Sequence, residues 1–330
     1  FQFNVEHVSL AKKADCVMIA PASANIIGKI ANGIADDMLT TTIMACKCPK
    51  LISPAMNTNM FTNPIVQDNL KKLEHYGYEI IQPDSGYLAC GDTGAGKMPS
   101  EQVLLNYILR TIAKDKDMTG IKLTVTAGPT REKLDPVRFL SNNSTGKMGY
   151  AIAKMAMLRG ADVTLISGKV SLEPVPFVKM VDIVSAEDMY NAVIKSAKDA
   201  DIIIKAAAVA DYRPSDVSDE KIKKKDGDMS IPLERTKDII GTLGSNKRDG
   251  LFLCGFSMET EHMLDNSKVK LTKKNLDMIV ANNVKVAGAG FGTDTNVVTV
   301  ITKDAVEELP MMSKEEVADA LLDRIMKARQ

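Results

Sequence analysis

Several short polar segments hold the side chains that could do chemistry. His7, in Glu6-His7-Val8-Ser9-Leu10, could act as a base. Ala20-Pro21-Ala22-Ser23-Ala24-Asn25, Pro54-Ala55-Met56-Asn57 and Gly86-Tyr87-Leu88-Ala89-Cys90-Gly91-Asp92 each follow an apolar run. Together they would bring a base, two amides and a thiol to one crevice. Singly, each has a plainer account: His7 as a surface or core residue, Asn25 and Asn57 as helix caps or turn formers. Cys90 lies among glycines and an aspartate, whereas Cys16 opens an apolar run and reads as a buried small hydrophobe.

The second half carries a different chemistry. Lys122 to Ala127 runs into Gly128-Pro129-Thr130-Arg131-Glu132, a sharp turn that exposes backbone donors. Asp135-Pro136-Val137-Arg138-Phe139-Leu140-Ser141-Asn142-Asn143-Ser144-Thr145-Gly146-Lys147-Met148-Gly149 then leads into a helical period. Small hydroxyl, amide and glycine residues at a helix start, with Lys147 beside them, suit an anion such as phosphate. The Gly-x-Gly-x-x-Gly fingerprint is absent, which counts against plain NAD binding. Ala206-Ala207-Ala208-Val209-Ala210-Asp211-Tyr212 ends an apolar strand with an acid at its tip. Lys221-Ile222-Lys223-Lys224-Lys225 and the group Lys270, Lys273 and Lys274 add local positive charge. On charge alone a lysine run is a solvated face; beside an acid and a phosphate loop, a polyphosphate partner becomes more attractive.

Gly91-Asp92-Thr93-Gly94-Ala95-Gly96-Lys97 matches a phosphate-binding P-loop up to its lysine. Met98 then stands where Ser or Thr should hold magnesium, and no apolar strand feeds into Gly91. A glycine-rich mobile loop carrying Cys90 and closing over substrate is the better expectation.

Positioning these segments requires strands. Strand-like runs at 16–20, 50–54, 79–82, 122–127, 162–167, 201–209, 251–256, 277–281 and 297–302 alternate with helical periods such as 101–113, 148–158, 186–198 and 314–327. This predicts an α/β protein: two doubly wound, mostly parallel-sheet (Rossmann-like) domains, the first incomplete. In such sheets ligands gather at the carboxyl ends of the strands. Lys114-Asp115-Lys116-Asp117 breaks a helix before a new strand, so the domains are expected at 1–118 and 119–330.

The 330 residues balance 42 Lys and Arg against 42 Asp and Glu. Zero net charge argues against a nucleic-acid or anionic-membrane binder. No apolar run approaches 18 residues, and a cytoplasmic small-molecule protein is the expectation. Five dispersed cysteines make no disulfide framework, and Cys46-Lys47-Cys48 is too tight for a zinc site. Phe1 is not an initiator Met and no signal peptide follows, so sequence is expected upstream.

The residues from His7 through Met98 resemble the flavin-dependent cysteine decarboxylases, specifically the phosphopantothenoylcysteine decarboxylase family. The carrying motifs are His-x-x-Leu-Ala-Lys-x-Ala-Asp, Pro-Ala-Met-Asn-x-x-Met and Ala-Cys-Gly-Asp. The resemblance implies an FMN that takes electrons from the substrate's cysteinyl thiol, giving a thioaldehyde whose decarboxylation leaves a delocalised enethiolate. It makes His7 the base, Asn57 the holder of the substrate carboxylate, and Cys90 the proton donor. Ser23, Asn25 and Thr40 would contact FMN. Phe61 stands where the family commonly has Trp or Tyr. The family's opening strand and glycine-rich phosphate seat are not seen before His7, so the first domain is expected to be shortened and to show little flavin absorbance.

Residues 119–330 resemble phosphopantothenate–cysteine ligase. Gly-Pro-Thr-Arg-Glu, Asp-Pro-Val-Arg, Ser-Asn-x-Ser-x-Gly-Lys-Met-Gly, Ala-Ala-Val-Ala-Asp-Tyr and Lys-Ile-Lys-Lys occur in family order. Fused in this order, the two modules resemble the bifunctional coenzyme A biosynthesis family of pantothenate metabolism. The implied reaction activates 4′-phosphopantothenate with CTP and Mg2+ to an acyl-cytidylate, which cysteine converts to 4′-phosphopantothenoylcysteine. Arg138, Asn142 and Lys147 would hold substrate, with Asn142 and Lys221 catalytic. Asp211, Lys221, Lys237, Asp238, Ile239, Ile240, Phe256, Lys270 and Lys274 would bind CTP, although Thr236-Lys237-Asp238-Ile239-Ile240 departs from the family's common Asn-Pro-Asp-Ile. No metal ligand is assigned, and the family implies a homo-oligomer. Two other classes compete: a non-catalytic flavoprotein-like binding subunit, against which the complete ligase motifs argue, and an NAD-dependent oxidoreductase, against which the missing fingerprint argues.

Overall fold

A computed structural model describes residues 5–87, 91–223, 229–258, 263–282, 290 and 292–330. The chain divides into two units, Phe1–Lys114 and Asp115–Gln330. Among the described residues no helix is long and apolar enough to cross a membrane.

The first unit begins with α1 (Glu6–Lys13), β1 (Val17–Ala22), α2 (Ala24–Ala31), α3 (Met38–Ala45) and β2 (Lys50–Pro54). It continues with α4 (Thr58–Phe61), α5 (Pro64–His75), β3 (Glu79–Ile80), β4 (Asp84–Tyr87), β5 (Thr93–Lys97) and α6 (Glu101–Ile112). Strands β1, β2 and β3 pair in parallel. Ile19, Ile27, Ile43, Ile52, Leu70 and Leu73 pack against one another as the core of this layer.

Strands β4 and β5 form an antiparallel hairpin, so the expected glycine-rich loop over 91–97 is corrected: 93–97 is a strand. Glycine is a poor strand former, and its strand pattern is therefore silent in sequence. Here the glycines are required by contact. Gly96 has φ +136°, and a Cβ on it would lie 2.1 Å from the Met56 carbonyl oxygen. Met56 N–H donates to the Gly96 carbonyl at 3.0 Å, which docks the hairpin beside Asn57. Gly96→Ala should therefore undock it; about tenfold faster proteolysis within 84–97 is expected, and an unchanged cleavage rate would contradict this contact.

The second unit runs β6 (Lys122–Ala127), β7 (Glu132–Lys133), β8 (Phe139–Leu140), α7 (Lys147–Leu158), β9 (Asp162–Ser167), β10 (Lys179–Asp182), α8 (Ala186–Ser196) and β11 (Ile202–Lys205). Then come β12 (Tyr212–Pro214), β13 (Leu233–Arg235), α9 (Ile239–Ser245), β14 (Phe252–Met258) and α10 (Met263–Lys273). It closes with β15 (Met278–Asn282), β16 (Thr295–Thr302), β17 (Val306–Ser313) and α11 (Lys314–Ala328).

Its main sheet has the order β10-β9-β6-β11-β14-β15-β16-β17. The first six strands are parallel, and in chain order they read 3-2-1-4-5-6, the doubly wound Rossmann arrangement. Strands β16 and β17 add an antiparallel edge. Side-chain alternation along β11 sends Ile202 and Ile204 to the core shared with α7 and α11, and Ile203 to the core shared with α8, α9 and α10. The unit begins firmly: Arg159 is buried and salt-bridged to Asp117, Asp319 and Asp323, and Met118 is fully buried.

The strand expected over 201–209 stops at Lys205. Beyond it the chain still tracks the neighbouring turn: Ala208 N–H donates to the Gly128 carbonyl and the Ala208 carbonyl accepts from Thr130 N–H, while Thr126 Oγ1 accepts from Ala207 N–H and Thr130 Oγ1 from Ala210 N–H. An apolar run alone cannot distinguish such a segment from strand.

Candidate active sites

In the first unit Ser23, Asn25 and Asn57 follow the ends of β1 and β2, whereas His7 and Thr40 lie in helices α1 and α3. His7 is half-buried in the first turn of α1. Ser23 caps α2 by accepting from Ile26 N–H at 3.4 Å, and Asn25 is exposed in its first turn. Thr40 differs: it is buried, and its hydroxyl donates to Asp37 while Thr40 N–H donates to the same carboxylate. The Thr40 amide and hydroxyl, with Lys29, lower the Asp37 carboxyl to about 2. The Thr40 side chain is thus committed to capping α3 and does not fit a direct flavin contact.

Asn57 caps α4 through Oδ1, which accepts from Asn59 N–H at 2.8 Å. Its Nδ2 donates to Asp92 Oδ2 at 2.8 Å. The amide assigned to a substrate carboxylate therefore holds a carboxylate here, one that follows the hairpin tip. Cys90 lies outside the described residues. The four described cysteines are free thiols; burial pushes the Cys254 thiol up.

In the second unit, two clefts flank the tip of β11. One is lined by Ser144–Gly149 at the start of α7 together with Ala206, Phe256, Asn282, Asn296 and Lys314. Helix α7 lies close on β6 because residue 149 is glycine; a Cβ there would come within 2.6 Å of the Ala127 Cβ. Asn142 fastens the loop before the helix: Nδ2 donates to the Ala208 carbonyl at 2.7 Å, and Oδ1 accepts from Ser144 N–H at 3.0 Å. Lys147 donates to Asp294 at 2.6 Å and to the Gly292 carbonyl. Burial first, then Lys147, lowers the pKa of Lys314.

The other cleft is lined by Lys205, Val209, Asp211, Thr236, Lys237, Asp238, Ile239 and Lys274. Asp238 caps α9 through Gly241 N–H and pairs with Lys274 at 3.0 Å. Burial opposes ionisation of Asp238, but the Gly241 amide, Lys274 and Lys205 outweigh it and lower its pKa. Lys237 pairs with Glu187 at 2.7 Å and lies over the Tyr190 ring. Lys270 lines an adjoining hollow with Asp238 and Lys274. Ile240 packs into the core beneath. The residues assigned to CTP are thus divided: Phe256 lines the helix-start cleft, and Asp211, Lys237, Asp238, Ile239 and Lys274 line the second.

Arg138 is held rather than free. Its Nε and Nη2 donate to Asp135 Oδ2 at 2.9 and 2.5 Å, and Nη2 also donates to the Ile222 carbonyl. Asp135 in turn accepts from Ile222 N–H at 3.2 Å. This pair anchors the backbone next to Lys221, which is itself exposed. Among the described residues no group of three or more His, Cys, Asp or Glu could hold a metal ion.

Sequence reasoning missed Asp135, Lys205 and Lys314. Asp135 was visible as part of Asp-Pro-Val-Arg, but its burial was not. A lysine ending an apolar strand was the available signal for Lys205.

Comparison with known proteins agrees with this architecture. The flavoprotein family matches residues 1–113, and the DNA/pantothenate metabolism flavoprotein C-terminal domain family matches residues 118–328. The coenzyme A biosynthesis bifunctional protein CoaBC of Bacillus subtilis (strain 168) is 47% identical over 325 residues, covering 97% of this chain and 80% of its own. A cysteine/cysteine sulfinic acid decarboxylase from an unknown prokaryotic organism is 42% identical over 326 residues, covering 97% and 91%. The crystal structure of the C-terminal domain of a CoaBC protein superposes with TM-score 0.55 at 45% identity, covering 64% of this chain and 96% of that one. With both units matched and relatives this similar along nearly its whole length, the chain belongs to the bifunctional coenzyme A biosynthesis enzymes, in which a flavoprotein decarboxylase domain is joined to a pantothenate-metabolism ligase domain.

Proposed function

We propose that the second unit joins 4′-phosphopantothenate to cysteine at the expense of CTP, and that the first unit decarboxylates the 4′-phosphopantothenoylcysteine so formed with the help of FMN. The observation that carries the ligase reading is the pair of clefts at the tip of β11, one walled by helix-start amides and Lys147, the other by lysines and two acids. A phosphate ester and a nucleoside triphosphate both need such surroundings.

In this reading the phosphopantothenate carboxylate attacks the α-phosphorus of CTP and pyrophosphate leaves. The cysteine amine then attacks the acyl carbon, CMP departs, and the amine loses a proton. Arg138 and Asn142 would orient the acyl partner. Asp211 would accept from a nucleotide hydroxyl, while Lys221, Lys270 and Lys274 would meet the phosphate charge. Magnesium would travel with the triphosphate, and no protein ligand is assigned to it.

For the first unit, Ser23 and Asn25 at the exposed start of α2 have the hydroxyl and amide donors that suit a flavin edge; Thr40 does not contribute its side chain. A bound flavin would supply the two-electron acceptor for the substrate thiol. His7 would take the thiol proton, and Asn57 would exchange the Asp92 carboxylate for that of the substrate.

Pyrophosphate release should require CTP and 4′-phosphopantothenate together, and CMP release should require cysteine as well. Pyrophosphate formation without phosphopantothenate, or turnover with ATP equal to that with CTP, would overturn the reading.

A further inference from the structure

Lys205 ends the central strand β11 on the face that carries Ile203, a face otherwise covered by the apolar sides of α8, α9 and α10. An apolar residue would be the economical choice there, since an ammonium loses hydration without return. The side chain is largely withdrawn from solvent and lines the second cleft. Lys237 and Lys274 in the same cleft have carboxylate partners, Glu187 and Asp238. Among the described residues the Lys205 ammonium makes no hydrogen bond or ion pair. Burial, and then the neighbouring Lys274, lower its pKa. A protein that keeps an unpaired lysine in such a place is holding it for something that arrives.

We propose that Lys205 binds a phosphate oxygen of the nucleotide in the cleft formed with Asp211, Asp238 and Lys274. The charged neighbours choose the ligand group. Lys205, Lys270 and Lys274 outnumber Asp211 and Asp238, so the local excess is positive and suits an oxyanion. Asp238 hydrogen-bonds to Gly241 N–H and Lys274; together with Asp211 it attracts Lys205 through space, but burial and the neighbouring lysines outweigh that attraction. The proposal rests on the reading of this cleft as the nucleotide site, and it adds a contact outside the lysine tract and the α10 lysines.

The test is calorimetric titration of the full chain with CTP plus magnesium, and with cytidine, for wild type, Lys205→Met and Lys205→Gln. Thermal melting checks that each variant is folded. CTP binding is expected to weaken about ten- to a hundredfold in both variants, while cytidine binding stays within about twofold. The melting point of Lys205→Met is expected to hold or rise, because a buried charge has been removed. If a folded variant binds CTP as well as wild type, or loses cytidine as strongly as CTP, Lys205 does not contact phosphate. If wild type itself fails to bind CTP, the nucleotide reading of the cleft falls, and this proposal falls with it; that result is visible before any variant is made.

Discussion

Lys221→Gln is expected to slow CTP-dependent ligation by about 10²- to 10³-fold with no change in melting temperature. Lys221 is exposed, and among the described residues its ammonium bonds to nothing. Its backbone neighbourhood is nonetheless fixed: Ile222 gives its N–H to Asp135 and its carbonyl to Arg138. The charge is therefore carried on a fixed stretch of backbone without being neutralised among the described residues, an arrangement suited to charge developing on phosphate. Because the side chain supports nothing else, its loss should appear in turnover and not in the fold. Coupled pyrophosphate release would measure it, and a decrease smaller than about threefold would remove Lys221 from the reaction.

Asp135→Asn should do the opposite, lowering the melting temperature by about 5 °C or more and taking ligase activity with it. The Asp135 side chain is buried and accepts from Val137 N–H, Arg138 N–H, the Arg138 guanidinium and Ile222 N–H. An amide would turn one acceptor oxygen into a donor facing other donors, and would leave Arg138 uncompensated. The Arg138 guanidinium, followed by the three backbone amides and against the opposing effect of burial, holds the carboxyl well below the usual carboxylate range. The stabilisation is thus complete above the ordinary carboxylate pKa of about 3.9 and is lost as pH falls towards the lower folded value. The melting-point gap between wild type and Asp135→Asn should be constant from about pH 7 to 5 and shrink below about pH 4. A gap that widened on acidification would contradict the assignment.

Much of the chemistry was legible because it is written in contiguous motifs. Gly-Pro-Thr-Arg-Glu, the Asn142–Gly149 approach to α7 and Ala-Asp-Tyr all lie at strand ends, where a parallel sheet places its ligands. The strands that carry them are buried on both faces and rich in apolar residues, Leu123, Val125 and Ala127 along β6 and Ile202 to Ile204 along β11, and read easily. The edges read poorly. β10 and β17 are mixed in polarity and β5 is rich in glycine, so neither alternation nor propensity marks them. The resemblance makes Arg138 and Lys237 ligand contacts, and the fold adds that each also pairs with a carboxylate, Asp135 and Glu187, which the motifs do not reveal.

The sequence by itself determined the α/β alternation and the family, since each depends on the order of residues along the chain. Only the tertiary structure decided that two clefts part the expected nucleotide residues, that Asp135 ties Arg138 to the backbone beside Lys221, and that among the described residues the Lys205 ammonium has no hydrogen-bonded partner. Those facts are pairings between residues as far as 87 positions apart, and hydrogen bonds and charges act over a few ångströms of space whatever the separation in sequence.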